Sequence, residues 1–133
     1  MMSKKLTPSE FNISPFEKAI QSLMEVLRAP QNAITRDATI QRFEYTFELS
    51  WKLLKRYFKI KNNLDIFNGI DIFREAGKQG LIEKVEKWFE YLEASNLTSH
   101  TYDENIAEKV YEKAKEFEKA AIFLLDQLKK IIT

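Results

Sequence analysis

The chain has 133 residues, 44% hydrophobic and 31% charged, which suits one domain with one core and is neither disordered nor fibrous in composition. Basic residues number 21 and acidic ones 20, so at a formal net charge of +1 no global field draws in nucleic acid or an anionic membrane. Cysteine is absent, which removes disulfides, thiolate metal sites and a cysteine nucleophile and fits a cytoplasmic location.

No stretch approaches the roughly 20 apolar residues of a membrane span. The opening Met1-Met2-Ser3-Lys4-Lys5 has lysines but no apolar run behind them, unlike a signal peptide. Pro8, Pro15 and Pro30 all precede residue 31, and Gly69, Gly77 and Gly80 fall between 69 and 80. Both helix-weakening residues are therefore missing from 31–68 and from 81–133, which leaves room for long helices.

Residues 1–13 read as an irregular lead-in to a single helical domain over 14–133. Ser14 offers an N-cap with Pro15 at the first helical position, and Phe16, Ala19, Ile20, Leu23, Met24 and Leu27 follow at helical spacing. Ala29-Pro30-Gln31-Asn32 makes the first turn. The second helix is expected from about Arg36 to Lys59, with Thr35 as cap. One face carries Ile40, Phe43, Phe47, Trp51, Leu54 and Phe58; a second apolar band carries Tyr45, Leu49, Leu53, Tyr57 and Ile60. A helix with two apolar faces is central to a bundle, or serves a second subunit as well. Between the bands runs a polar stripe of Asp37, Gln41, Glu44, Glu48, Lys52, Lys55 and Lys59. Such a stripe is ordinarily solvated surface, and its functional alternative is a binding face.

Residues 61–67 form a loop, and a short helix spans about 69–78, stopped by Gly80. A fourth helix covers 81–94 through Leu81, Val85, Trp88, Phe89 and Leu92, and Ser95–His100 is a tight connection. Thr101-Tyr102-Asp103-Glu104 has the form of a capping box for a last helix over about Tyr102–Ile132. In that helix Ala107, Val110, Ala114, Phe117, Ala121, Leu124, Leu128 and Ile131 alternate spacings of three and four, the seam of a left-handed bundle, and Phe123 points away from it. The expected fold is all-α: an up-and-down antiparallel bundle of four long helices plus one short helix. The apolar faces left over predict self-association.

Catalytic signatures are sparse. There is no Gly-rich phosphate loop, no paired histidine and no nucleophile elbow, and no metal site is expected in this chain. The single histidine, His100, lies in the polar cluster Ser95-Asn96-Leu97-Thr98-Ser99-His100-Thr101-Tyr102. At a helix start the dipole disfavours imidazolium, which would leave a neutral base, and free N–H groups there would accept a phosphate. The plainer reading is that Ser, Thr and Asn only satisfy backbone groups at a turn and cap. The cations at the end of the second helix, Lys52, Lys55, Arg56, Lys59 and Lys61, suit phosphates or simply complement a helix C-terminus.

Two segments carry a resemblance. Arg36-Asp37-Ala38-Thr39-Ile40-Gln41-Arg42-Phe43-Glu44-Tyr45-Thr46-Phe47-Glu48-Leu49-Ser50-Trp51-Lys52 resembles the signature of the nucleotidyltransferase substrate-binding protein family, within the HEPN superfamily. Asn96-Leu97-Thr98-Ser99-His100-Thr101-Tyr102, with Gly80-Leu81-Ile82 and Trp88 upstream, completes it. The resemblance covers about residues 14–130. It implies a self-associating bundle of about five helices encoded beside a minimal nucleotidyltransferase of the MNT type. That partner would hold magnesium and the nucleoside triphosphate, while this chain shapes the substrate site. Arg36, Asp37, Gln41, Arg42, Glu44, Glu48, Lys52, Asn96, Ser99, His100 and Tyr102 are then the residues expected to face substrate or partner.

Related HEPN proteins cut RNA with an Arg–x4–His motif extended to His-x-Tyr, and in toxin–antitoxin pairs the nucleotidyltransferase transfers AMP to the tyrosine. His100 and Tyr102 match the second part, but Ser95 stands in the arginine position. Serine brings no cation to the charge that builds on a pentavalent phosphate, which argues against ribonuclease activity. Tyr102 is the acceptor that the resemblance implies; ordinary packing would instead bury its ring against neighbouring helices. A helical interaction module without ligand is the third reading of the chain.

Overall fold

The structure, a computed structural model, describes residues 5–132, so the Met1–Lys4 opening lies outside the described residues. Five α-helices follow in order: α1 Ser14–Arg28, α2 Ala33–Asn62, α3 Gly69–Lys78, α4 Val85–Asn96 and α5 Glu104–Lys129, with a 3-10 turn at Thr98–His100. The architecture is all-helical. Helices α1 and α2 run antiparallel, as do α4 and α5, while the shorter α3 packs on α2 and α4.

Several helix ends differ from the sequence expectation for local chemical reasons. The Ser14 hydroxyl does not cap α1; Asn12 Oδ1 accepts the Ser14 N–H (3.1 Å) from outside the helix, and Pro15 sits in the first turn. Helix α2 starts a turn early because Asn32, not Thr35, is its cap. Asn32 Oδ1 accepts the N–H groups of Ile34 (2.9 Å) and Thr35 (3.0 Å), and Thr35 Oγ1 accepts the Asn32 N–H (2.8 Å). It ends late, where Asn63 takes a left-handed φ of 54° and its N–H donates to Lys59 O (3.2 Å). The turn after α3 uses Gly80 at φ 75°, and Leu81 and Ile82 drop into the core before α4 begins at Val85.

The core is aromatic. Phe117 of α5 lies 5.3 Å from Phe43, 5.8 Å from Phe47, 5.4 Å from Trp88 and 5.2 Å from Tyr91, ring centre to ring centre. The α5 seam is buried as its spacing predicts from Ala107 to Leu128, with Ile131 half-buried at the end. Thr39, Thr46 and Ser50 are buried among these apolar groups, yet each hydroxyl donates to a carbonyl of its own helix, at 2.6–2.8 Å. Thr46 Oγ1 also reaches Ala19 O (3.3 Å), and Arg42 reaches Ser22 O (2.7 Å), so α1 and α2 are tied by hydrogen bonds as well as by packing.

The described part of the lead-in, residues 5–13, packs onto the bundle. Leu6 N–H donates to Ile131 O (2.9 Å), and Leu6 and Phe11 are both buried. Phe11 lies 5.9 Å from Tyr57, so this segment covers part of α2's second apolar band, while Ile60 at its far end stays exposed. Leu53 and Tyr57 are thereby buried within one chain, which removes them from the case for self-association. Ile34, Phe67 and Tyr102 are the most exposed large apolar side chains among the described residues, at 80, 81 and 86%. Among the described residues no helix is long and apolar enough to cross a membrane.

Candidate functional site

The His100 segment is held by its own hydroxyls. Helix α4 runs on through Ser95 and Asn96, and the chain then tightens into the 3-10 turn. Thr98 Oγ1 donates to Ser95 O (2.8 Å), Thr101 Oγ1 to Thr98 O (3.2 Å) and the His100 N–H to Leu97 O (2.9 Å). With its backbone satisfied locally, the turn presents the side chains of Asn96, Ser99, His100 and Tyr102 to solvent. The Tyr102 hydroxyl lies 3.5 Å from His100 Nδ1, and the two rings stand 6.0 Å apart at 72°.

Three sequence expectations change here. The cap of α5 is Asp103, not Thr101, so α5 starts at Glu104 and Tyr102 precedes it. Asp103 Oδ1 accepts the N–H groups of Asn105 (2.9 Å) and Ile106 (3.3 Å), putting a carboxylate where the functional reading placed a phosphate. The ring of Tyr102 does not pack against neighbouring helices; the residue is 86% exposed.

Arg36 anchors the start of α2 at this end of the bundle. Its guanidinium forms a two-pronged ion pair with Glu104, the second arm at 3.3 Å, and Glu108 lies 3.7 Å away. That hydrogen-bonded pairing raises the Arg36 pKa and holds the Glu104 carboxyl below the usual carboxylate range. The Arg36 side chain is only 19% exposed, and its Nε makes no hydrogen bond, with Asp37 Oδ1 3.9 Å away. Sequence reasoning missed Glu104 as this partner, having given it to a capping box.

The rest of the α2 signature runs away from this end. Asp37, Gln41 and Glu44 are exposed, Arg42 is turned to α1 and lies 3.9 Å from Glu25, and Glu48 pairs with Lys52 (2.8 Å). Glu48, Leu49 and Lys52 line a shallow groove with Pro15 and Lys18 of α1. Arg36 comes near the second resemblance segment through Glu104, just past Tyr102, and Phe47 meets Trp88 in the core, ring centres 6.2 Å apart. The cations at the end of α2 are engaged locally: Lys55 lies over the Phe67 ring (5.5 Å), Arg56 donates to Glu10 O (3.0 Å) and Lys59 pairs with Asp65 (3.1 Å). Among the described residues no three His, Asp or Glu side chains cluster closely enough to hold a metal ion.

A larger groove, of about 550 Å³, lies between α4 and α5, floored by Trp88, Tyr91, Ala120 and Phe123. Lys87 and Glu116 bridge the helices beside it (3.2 Å), and Lys113 reaches Glu90 (2.6 Å) further along. The one trace of it in the sequence is Phe123, which the helical pattern turns off the seam.

Comparison with known proteins places this architecture. A curated relative from Haemophilus influenzae, named "Probable ribonuclease HepT", is 39% identical over 94 residues, spanning 68% of this chain and 64% of that protein's length. A Haemophilus influenzae structure said to reveal the fold of a substrate binding domain of a nucleotidyltransferase superposes with a TM-score of 0.77 at 30% identity. It covers 89% of this chain and 99% of that one. A Thermus thermophilus structure superposes with a TM-score of 0.79 at 31% identity, covering 86% of this chain and 98% of that one. The family model described as "Nucleotidyltransferase substrate binding protein like" matches residues 11–130, and the chain belongs to that family.

Proposed function

We propose that this chain is the non-catalytic, substrate- or nucleotide-binding partner of an MNT-type minimal nucleotidyltransferase, of toxin–antitoxin descent, and that the His100 end of the bundle faces that enzyme. Family membership supports a nucleotidyltransferase as the associated activity. The observation that carries the assignment of the face is the exposure of Tyr102 beside His100, just before Glu104, the partner of Arg36. An aromatic side chain this exposed, with Ile34 also uncovered on α2, suits a protein contact. Magnesium and the nucleoside triphosphate enter with the partner and supply the nucleotidyl-transfer chemistry. A homo-oligomer and a cytoplasmic location belong to the same reading.

In this reading Tyr102 is an acceptor. Its phenolic oxygen bonds to the α-phosphorus of ATP, pyrophosphate leaves, and the phenolic proton passes to His100. The 3.5 Å between hydroxyl and Nδ1 is at the long end for a hydrogen bond, and a small closure makes it one. The test is co-purification with the neighbouring nucleotidyltransferase, then intact-mass analysis after incubation with ATP and magnesium. An adenylyl increment mapped to Tyr102 and missing in Tyr102→Phe supports the assignment. No complex and no increment, with an enzyme active on another substrate, refutes it.

A second reading, a metal-independent ribonuclease using His100, is favoured by the name of the Haemophilus relative. Against it, Ser95 carries no charge, and the guanidinium of Arg36 is already occupied by Glu104. The purified chain is expected to leave RNA intact. Robust cleavage abolished by His100→Ala would favour the ribonuclease.

A further inference from the structure

The loop between α2 and α3 ends on Asn68-Gly69, a pair with a chemistry of its own. In an asparagine followed by glycine, the backbone nitrogen of the glycine readily attacks the asparagine side-chain carbonyl, because no Cβ shields that nitrogen. None of the other asparagines (Asn12, Asn32, Asn62, Asn63, Asn96 and Asn105) precedes a glycine.

The structure places this pair where the attack is both favoured and gated. Asn68 is exposed and is the N-cap of α3, with φ −127° and ψ 154°. Gly69 is the first residue of α3, so its N–H has no acceptor within the helix. The positive end of the helix dipole also favours loss of its proton, which makes the nitrogen a nucleophile. Against this, the Asn68 amide is held twice by Asp71. Its Oδ1 accepts the Asp71 N–H (2.9 Å), and its Nδ2 donates to Asp71 Oδ2 (2.9 Å). Ring closure waits until the amide swings off Asp71. Little else secures this end of α3: among the described residues Asp65, Ile66 and Phe67 donate no backbone hydrogen bond to another backbone group. Segments so lightly tied open locally at low cost.

We propose that Asn68 is a site of spontaneous deamidation, gated by the opening of the α3 cap. Gly69 N bonds to Asn68 Cγ, the Cγ–Nδ2 bond breaks, and ammonia leaves carrying the Gly69 proton. Water then opens the cyclic imide, its hydroxyl going to one carbonyl carbon and a proton to the ring nitrogen. The products are aspartate and isoaspartate. Aspartate still accepts the Asp71 N–H but sets a second carboxylate against Asp71 Oδ2, where Nδ2 now donates. Isoaspartate also adds a carbon to the main chain and spoils the cap. The change is one-way, so it accumulates with the age of the chain and loosens α3 where Gly69 lies against the Leu92 side chain. This site does not depend on the partner reading.

The experiment is timed incubation of the full chain at neutral and mildly alkaline pH, folded and in urea. Peptide mapping by mass spectrometry locates each conversion, and enzymatic methylation detects isoaspartate. Asn68 is expected to convert before any other asparagine, to both products, and faster as pH rises. Asp71→Ala removes one of the two restraints and should speed the folded chain by about fivefold, with no effect in urea. Gly69→Ala should slow conversion severalfold in both states. The proposal is overturned if another asparagine converts first in the folded chain, or if aspartate forms without isoaspartate. It is equally overturned if Asp71→Ala converts at the wild-type rate while folded, or if folded Asn68 stays intact after the unfolded chain has fully converted.

Discussion

Gly77 lies inside α3, where alanine ordinarily stabilises a helix by about 1 kcal/mol relative to glycine. Here the sign is expected to reverse. A Cβ built on Gly77 falls 2.2 Å from Val85 Cγ2 and 3.7 Å from Val85 Cβ, at the first residue of α4. Carbon atoms pack at about 3.5–4.0 Å, so the overlap exceeds 1 Å and requires Val85 to leave its rotamer or α3 to lift off α4. Val85 is β-branched and stiff at χ1, so the relief is costly, in the range of about 1–3 kcal/mol for overpacking. Setting the helix gain of about 1 kcal/mol against this cost leaves Gly77→Ala less stable by up to about 2 kcal/mol, or up to about 8 °C in Tm for a chain of this size. Val85→Ala removes the obstructing methyl group, so in the double variant the alanine at 77 should regain its helix benefit. The assay is urea and thermal unfolding of all four members of the cycle, with an expected coupling of about 1–3 kcal/mol. A Gly77→Ala variant that is more stable than the wild type, or effects that simply add, would refute the reasoning.

Other substitutions follow from the same geometry. Phe117→Ala removes the ring that four other aromatics touch and should cost about 3–5 kcal/mol in urea unfolding, while Phe117→Leu should cost clearly less. Asp103→Ala should lower stability by about 1 kcal/mol, because Asp103 caps α5, and Thr101→Ala should cost less; the reverse order would restore Thr101 as the cap. Tyr91 has a folded pKa raised to about 12 by burial, so its contribution is complete below the unfolded value of about 10. Stability should fall as pH rises from about 10 towards 12, by about 2 kcal/mol from this group, and Tyr91→Phe should flatten that fall. At the acid end, hydrogen bonding to Lys113 holds Glu90 below its usual pKa, so its contribution is complete above about pH 4.3 and is lost as pH falls through the folded value. Glu90→Gln should make unfolding less sensitive to acid.

The bundle was legible because its evidence is periodic. The α5 seam repeats by threes and fours without a slip, and nothing in the tertiary structure competes with it. Helix ends were less legible, since several side chains compete for the same N–H groups: Thr35 and Asn32 both suit a cap, as do Thr101 and Asp103, and only backbone geometry decides. The second apolar band of α2 was visible, but its cover was not, because Phe11 reaches Tyr57 from a segment with no helical pattern. At the candidate site, His100 and Tyr102 stood out as a short local motif. The Arg36–Glu104 pair joins residues far apart in sequence, and no spacing rule encodes it. The α4–α5 groove is a product of two faces meeting, so only Phe123, turned off its own seam, hinted at it.

The hydrogen bond from Leu6 to Ile131 orders events during synthesis. Leu6 is made 125 residues before the carbonyl that holds it. Until then the segment that carries Phe11 over Tyr57 lacks this anchor, although α1 and α2 are already available to pair. A growing chain therefore presents an apolar stripe that the finished one hides, for as long as translation of the later helices takes. Slow translation through α4 and α5 lengthens that window and favours contacts between nascent chains or with chaperones. The arrival of Ile131 closes it.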